Sequence, residues 1–546
     1  MGSFDISAPQ DLQTAALYAV AATGAVLAVL LLLYPDRMAF TSPRPRNVKT
    51  MTPNYPLIGN TPWLLSIVRK QERILTAITE VQKTQVPGGQ PLTLTIPQLG
   101  GRVFLINRPE YLNFVQKVEF EHFVKGFNFL NNFSDLLGSH GIFVADGDVW
   151  KKQRKMASHI FSVGNFKTYV QQTIHRDIDQ LQRLMSDCHK TGAQINLPEV
   201  FFRFTMSSFS QMAFTADLEV LPATAEGMKT RNEFADAFDF AQLVVDNRFV
   251  DPFPRFIELF TAQGSRMRKS IKTLREYCYR IIDLRLEARA RGESGSVDSK
   301  EGKDLLELFM GMGLTRDELL PVVLNFLIAG RDTTAQSLSW MFYELWKHPE
   351  CVKEIRRTVA EHLDGRQMGY DDMKSLPYLQ ACFYEAVRLH PAVPKNVRTA
   401  TCDTTIRPYQ GTEKLSGEQK DLPDIFIRKG EGVIWCDYAM ARMPENWGPD
   451  CEEYKPERFL EKKEDGEVQF KNYGQMLAHM FNAGPRVCLG QTLATFEGMS
   501  VVAAILHKYD VVYDDDALTA DPPVYADSVT HPIANPYKVG FRPLST

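Results

Sequence analysis

From Leu12 to Tyr34 the chain carries no charged side chain, and Ala15–Tyr34 is a run of twenty apolar, small or uncharged residues ending in Leu30, Leu31, Leu32 and Leu33. A helix of that length reaches across roughly 30 Å, the hydrocarbon thickness of a bilayer. The stretch therefore divides the chain into a membrane anchor and a body. Asp5 and Asp11 precede it, whereas Arg37, Arg44, Arg46 and Lys49 follow it. Basic residues on the C-terminal side place the body in the cytosol. A cleaved signal peptide is the competing reading, but its basic residues would come first and its apolar core would be shorter. The expected organisation is an anchor over residues 1–36 with its span at about 12–34, a connector over 37–60, and a catalytic domain over 61–546. Pro43, Pro45, Pro53 and Pro56 make the connector stiff, because proline fixes φ.

The body is large enough for a sizeable core, with 44% of the chain hydrophobic. A net charge of −4 gives no reason to expect a nucleic-acid partner. Helical periodicity dominates: roughly Lys151–Cys188, Gly227–Val245, Gly264–Arg291, Thr315–Lys347, Tyr378–Leu389 and Gln491–Lys508. Strand-like alternation is confined to Leu92–Ile106, Asp424–Ile434 and Tyr537–Arg542. The fold class is mainly α with a small β portion. Arg291–Lys303, Arg407–Leu422 and Glu461–Gly474 read as exposed loops.

None of the eight cysteines forms a C-x-x-C pair, so a zinc ribbon, a thioredoxin-like motif and a covalently attached haem all lack support. Their scatter suits free thiols in a reducing compartment. A single sequon, Asn132-Phe133-Ser134, points weakly the other way. The segment Phe481-Asn482-Ala483-Gly484-Pro485-Arg486-Val487-Cys488-Leu489-Gly490 runs straight into a helical pattern. Cys488 thus lies at a helix N-terminus behind a Gly-Pro turn, where backbone N–H groups and the helix dipole favour a thiolate. A lone cysteine is ordinarily a small core residue. The surrounding decapeptide is what gives this one a chemical role.

F-x-x-G-x-R-x-C-x-G resembles the haem-binding loop of the cytochrome P450 superfamily. The resemblance implies the P450 fold behind one transmembrane helix, with haem b bound through Cys488 as axial ligand of the iron. A thiolate in that position pushes electron density toward bound oxygen. Phe481 would shield the sulfur and Arg486 would pair with a haem propionate. Upstream, Thr315 and Glu318 form a capping-box pair opening a long helix. Within it, Ala329-Gly330-Arg331-Asp332-Thr333-Thr334 is similar to the family's oxygen-activation segment. Ala329 and Gly330 would leave room for dioxygen. Thr333 can bond back to the carbonyl of Ala329, and together with Asp332 would relay protons.

Glu385 and Arg388 are three apart on a helix face. They match the family's E-x-x-R pair, for which Arg458 in Pro456-Glu457-Arg458-Phe459 is the third member, a structural trio. Trp150 and Arg154 resemble a propionate-binding pair, and Arg398 matches another such position. Lys151, Lys152 and Lys155 would then lie on a basic face suited to an acidic electron donor.

About 58 residues follow Cys488, too few there for a flavin or iron–sulfur domain. The expected electron source is NADPH through a separate partner, NADPH–cytochrome P450 reductase, at the endoplasmic reticulum membrane with O₂ as co-substrate. Leu137–Ser162, Ala237–Pro252 and Leu327–Trp340 resemble microsomal alkane and fatty-acid ω-hydroxylases of fungi and plants. A lipophilic substrate is implied, with Phe120, Phe123, Phe127, Phe129, Leu130 and Phe133 either lining its channel or serving as core. A monooxygenase of terpenoids, sterols or polyketides is the nearest alternative. A non-catalytic haem or electron-transfer protein is the alternative of another class.

Overall fold

The computed structural model describes residues 8–544 apart from 44, 46, 71–72, 98–100, 162–165, 252, 293–303, 412–414 and 416–421. The helices that carry the argument are α1 (Ala8–Leu33), α2 (Thr61–Lys70), α3 (Ile74–Gln85), α4 (Gly126–Leu137), α5 (Gly147–Ala157), α6 (Gln171–Thr191), α7 (Leu197–Phe214), α8 (Glu233–Asn247), α9 (Pro254–Phe260), α10 (Ala262–Ala290), α11 (Arg316–Lys347), α12 (Pro349–Leu363), α13 (Pro377–Leu389) and α14 (Gln491–Lys508).

Six short strands form the main sheet: β1 (Lys49–Thr50), β2 (Leu92–Thr95), β3 (Arg102–Leu105), β4 (Phe123–Val124), β5 (Lys395–Ala400) and β6 (Gly432–Cys436), in the order β1-β2-β3-β6-β5-β4. β3 and β6 run parallel, and β5 pairs antiparallel with β6. The sheet stands at one side of a helical body, as the reading of a mainly α chain expects.

α11 is the spine. Its first turn carries the expected capping box, in which the Thr315 N–H donates to the Glu318 carboxylate at 2.8 Å. Its length is buried among α7, α10, α13 and α14. α7 was absent from the sequence reading for a physical reason. Nearly all of its residues are buried, so it shows no polar face and no amphipathic stripe.

The pattern over Lys151–Cys188 is not one helix. α5 ends at Ala157 and α6 begins at Gln171, with the Ser158 hydroxyl bonded to the Lys155 carbonyl at the break. Glu461–Gly474 holds a hairpin, Leu460–Lys462 against Val468–Phe470, rather than an open loop. Arg291–Lys303 and Arg407–Leu422 lie largely outside the described residues, as do Asp5, Arg44 and Arg46.

Thr14–Leu33 is the one helix segment long and apolar enough to cross a membrane among the described residues. The connector is packed onto the body. β1 pairs with β2, Met51 is fully buried, and Asn60 donates to the Met51 and Pro53 carbonyls at 3.0 and 2.8 Å. The eight cysteines are free thiols, and Asn132 of the sequon is buried in α4.

Candidate active site

Between α11 and the loop that precedes α14 lies a cavity of about 690 Å³. Ala329, Gly330, Thr333, Thr334 and Ser337 wall one side, and Phe481, Arg486, Val487, Cys488 and Leu489 face it. The loop is fixed by its backbone. The Cys488 N–H donates to the Phe481 carbonyl at 2.8 Å, and the turn over Gly484–Arg486 brings Gly484 against the Gln116 carbonyl at positive φ, where a Cβ would collide. The Cys488 sulfur is open to the cavity but enclosed by protein. Burial pushes its thiol up, while the Gly490 N–H and the Arg154 guanidinium pull it down toward the anion. Phe481 packs on Tyr384 beside it.

On α11, Thr333 Oγ donates to the Ala329 carbonyl at 2.9 Å. A second carbonyl of the same stretch, that of Arg331, is taken by the Thr205 hydroxyl of α7 at 2.6 Å. Two side-chain hydroxyls thus donate to carbonyls in one segment of a helix that continues unbroken through it. Ala329 and Gly330 do line the cavity, but the space beside the Gly330 Cα belongs to Phe209, whose ring a Cβ would meet at 2.0 Å. Glycine at 330 lets α7 approach α11.

Asp332, the acid of the expected acid–alcohol pair, does not share the surroundings of Thr333. It is buried, off the cavity wall, and bonded to the neighbouring Arg331 at 2.7 Å and to Gln242 at 2.7 Å. Arg331 also reaches Asp239 at 3.0 Å. Burial pushes the Asp332 carboxyl upward against the pull of Arg331. Its route to the cavity runs through Gln242 and Thr530, which share a 2.9 Å hydrogen bond and do line it.

The expected cation set surrounds the other end. Arg486 stacks over Trp150 at 4.4 Å and donates to Asp146 at 2.7 Å, while its Nε is buried without a partner. Arg398 is buried and, among the described residues, donates hydrogen bonds within its own strand, to the Val397 carbonyl at 2.7 Å and Asn396 at 3.5 Å. Arg154 reaches the cavity above Trp150 at 5.8 Å.

The sequence reading missed Lys125. It is buried, donates to Asn396 at 3.1 Å, and sits 4.1 Å over Phe129. Burial and the two arginines hold its ammonium well below the usual lysine range, and burial brings Arg398 down to about 9 and Arg486 to about 10. Lys125, Arg398 and Arg486 crowd around Asp146, which pairs with Arg486, so cationic groups outweigh the buried anionic charge of this edge in a low-dielectric setting. A ligand with two carboxylates restores the balance. The haem propionates fit that requirement, and the open Cys488 sulfur fits the iron. A lone lysine in an aromatic run, Phe123-Val124-Lys125-Gly126, was the available signal.

Glu385 and Arg388 form the expected ion pair at 2.6 Å, and Arg458 joins Glu385 at 3.4 Å. Arg388 also donates to the Ala441, Cys451 and Glu453 carbonyls, and Lys455 N–H to Glu385. The trio is buried away from the cavity and ties α13 to the meander before the Cys488 loop.

Of the aromatic set, Phe129 and Phe133 line the cavity and stack at 4.4 Å. Phe120 packs on Trp150, Phe123 is core, and Phe127 is exposed. Lys151 is exposed and paired with Glu121 at 2.9 Å, and Lys152 and Lys155 are exposed beside it. A second missed residue, Glu497 of α14, lines the cavity as a buried acid bonded to Ser208, and burial pushes its carboxyl up to about 8.

The family description of cytochrome P450 matches residues 50–538. "Cytochrome P450 monooxygenase cyp1" of Mycosarcoma maydis is 36% identical over 502 residues, covering 89% of this chain and 74% of that protein. "Cytochrome P450 94A1" of Vicia sativa is 30% identical over 475 residues, 85% of this chain and 86% of its own length. "Cytochrome P450 94B1" of Arabidopsis thaliana is 28% identical over 532 residues, 94% and 97% respectively. Enzymes of this family use haem, dioxygen and NAD(P)H-derived electrons. With its cavity, sulfur and cation set arranged as described, the chain belongs to the cytochrome P450 family and is a monooxygenase.

Proposed function

We propose that the enzyme hydroxylates the terminal, ω, carbon of long-chain fatty acids or alkanes. The observation that carries this reading is the cavity wall beyond Thr333. Trp63, Ile67, Ile74, Ile78, Phe129, Phe133, Leu243, Phe249 and Val250 contribute to an apolar lining matched to a hydrocarbon chain. The resemblance of Leu137–Ser162, Ala237–Pro252 and Leu327–Trp340 to microsomal ω-hydroxylases supports the same class.

When bound, the haem supplies dioxygen activation and insertion of one oxygen atom into a C–H bond. Cys488 would hold its iron, and Lys125, Arg154, Arg398 and Arg486, with Trp150, would hold its propionates. Thr333, on the opposite wall, holds a hydroxyl proton on the Ala329 carbonyl and would deliver it into the cavity. Thr530, which lines the cavity, donates its hydroxyl to the Asp332 carboxylate at 3.5 Å, and Asp332 would replenish the proton supply through that hydroxyl, while the Gln242 amide only orients the carboxylate. The apolar wall orients the alkyl chain and excludes water.

The body sits on the cytosolic face of the endoplasmic reticulum membrane, drawing electrons from NADPH–cytochrome P450 reductase. α1 is the anchor, and α9 supports membrane contact. Phe253, Phe256, Leu259 and Phe260 are 63–76% exposed, a cluster too apolar for open water. In the chain they come shortly after Phe249 and Val250 of the cavity wall. The test is turnover of dodecane and dodecanoic acid by the purified enzyme with that reductase and NADPH. Terminal alcohols are the expected products. NADPH-dependent oxidation of sterols or terpenoids with neither lipid consumed would contradict the reading.

A further inference from the structure

Asp437, His479, Gln116 and Asn482 form one hydrogen-bond chain that ends in the Cys488 loop. Asp437 follows β6, Gln116 lies in the helical turn Phe114–Val118, His479 opens the turn His479–Phe481, and Asn482 belongs to the loop itself. His479 Nδ1 is bonded to Asp437 Oδ1, and its Nε2 lies 2.8 Å from Gln116 Oε1. Gln116 Nε2 donates to Asn482 Oδ1 at 2.7 Å. Asp437, His479 and Gln116 are buried, and Asp437, His479 and Asn482 line the cavity.

Counting donors fixes the direction of the chain. Asn482 Oδ1 also accepts the Ala483 N–H at 3.0 Å, so it is the oxygen that faces Gln116. Gln116 therefore turns its NH₂ toward Asn482 and its oxygen toward His479. On the other side of the ring, Asp437 offers a carboxylate oxygen. Both ring nitrogens of His479 face acceptors, and only an imidazolium donates from both. A buried pair of this kind is costly to break from either side, so His479 gives the Gln116 amide one fixed orientation.

The orientation matters at Asn482, whose φ of 63° and ψ of −177° fall in a backbone region that belongs to glycine. Gln116 holds its side chain, and its N–H donates to the His479 carbonyl at 2.7 Å. The Gln116 carbonyl also closes against Gly484. These contacts bracket the turn in which the Cys488 N–H returns to the carbonyl of Phe481, the residue before Asn482. We propose that His479 is a positioning residue for the sulfur ligand: pinned by Asp437, it orients Gln116, which holds Asn482 in its strained conformation and so keeps the Cys488 sulfur presented to the cavity. The inference rests on Cys488 as the haem ligand and is independent of which substrate the cavity takes.

The test follows the red-shifted Soret band of the reduced, carbon-monoxide-bound holoprotein during incubation at one mild temperature. Gln116→Met removes the link to Asn482. His479→Phe removes the link before it, with Asp437→Asn added so that no charge is stranded. Each protein is expected to convert from the red-shifted band to the unshifted one faster than the parent by about fivefold or more. Glycine adopts the Asn482 conformation without strain. Asn482→Gly added to either protein should bring the rate back within about twofold of the parent, a rescue that loss of packing around His479 would not show. A variant that fails to accumulate as haem protein is judged by the same rescue, read as the ratio of haem to protein absorbance. The proposal is overturned if both proteins keep the parent's rate, or if Asn482→Gly restores neither. A parent that lacks the red-shifted band overturns sulfur ligation itself, and this inference with it.

Discussion

The Thr333 hydroxyl donates to the Ala329 carbonyl, four residues back on α11, at 2.9 Å. One turn further, Ser337 does the same to the carbonyl of Thr333 at 2.8 Å. Thr333 is the cavity-facing member of the acid–alcohol pair, since Asp332 is off the wall. Thr333→Ala should therefore fold, bind haem and accept substrate, yet lose coupling by about tenfold or more, with NADPH consumed and hydrogen peroxide released. Thr333→Ser keeps a hydroxyl on the wall and should retain most of the coupling. Product formed per NADPH, with peroxide measured in parallel, checks this. Full coupling in Thr333→Ala would mean that the hydroxyl plays no part in proton delivery.

Asp332→Asn should act differently, because the carboxylate also compensates Arg331, which is buried. Breaking a buried pair from one side costs on the order of 3–5 kcal/mol, tempered here by the second partner, Asp239. The expected outcome is lower thermal stability together with slower turnover. Differential scanning fluorimetry beside single-turnover rates separates the two effects.

Glu497 gives a pH signature. An unfolded chain ionises this carboxyl near its ordinary 4.5, whereas the folded protein keeps it protonated to about 8. Between those values the folded state binds the extra proton, so rising pH favours unfolding through this group, by on the order of a few kcal/mol across the window. Glu497→Gln retains a partner for Ser208 and removes the titration. Its melting temperature should fall less than that of the parent between about pH 5 and pH 8. Parallel profiles for the two proteins would show that Glu497 is ionised in the fold.

Lys125 predicts opposite effects on apoprotein and holoprotein. Without a dicarboxylate ligand, burial and the neighbouring Arg398 and Arg486 oppose its ammonium more than Asp146 supports it. Lys125→Met should stabilise the haem-free protein while raising the rate of haem loss to apomyoglobin by several-fold, about 1 kcal/mol or more in retention. Unchanged haem transfer would remove Lys125 from the propionate set.

Arg388→Leu leaves Glu385 buried with Arg458 at 3.4 Å and the Lys455 N–H at 3.0 Å, and frees three carbonyls. The expected cost of about 3–5 kcal/mol is enough to prevent accumulation of folded haem protein. Expression yield and the ratio of haem to protein absorbance report it.

What could be read from the sequence was what is contiguous or regularly spaced. The Cys488 loop is one decapeptide, and Glu385 and Arg388 share a helix face, so pattern alone exposed them. The arrangement around Lys125 depends on α4, α5, β5 and the Cys488 loop meeting in space, and no local pattern records that. Adjacency in the chain did not show that Asp332 and Thr333 have different surroundings. Thr333 faces the cavity, and its neighbour is rotated about 100° around α11, toward Arg331, Asp239 and Gln242. Gly330 lines the cavity, and its lack of a side chain also admits Phe209 of α7, a helix whose uniform burial had hidden it. Gln116 and His479 are 363 positions apart in the chain, and only packing brings them together.

The central claim is sulfur ligation of a haem iron by Cys488. The direct measurement is the difference spectrum of the dithionite-reduced protein with carbon monoxide, for the parent and for Cys488→Ser. The parent should give the strongly red-shifted Soret band of a thiolate-ligated haem, and the variant should lose it. A parent that folds with haem but shows the band of a nitrogen-ligated centre, or a Cys488→Ser protein that keeps the red-shifted band, would contradict the account.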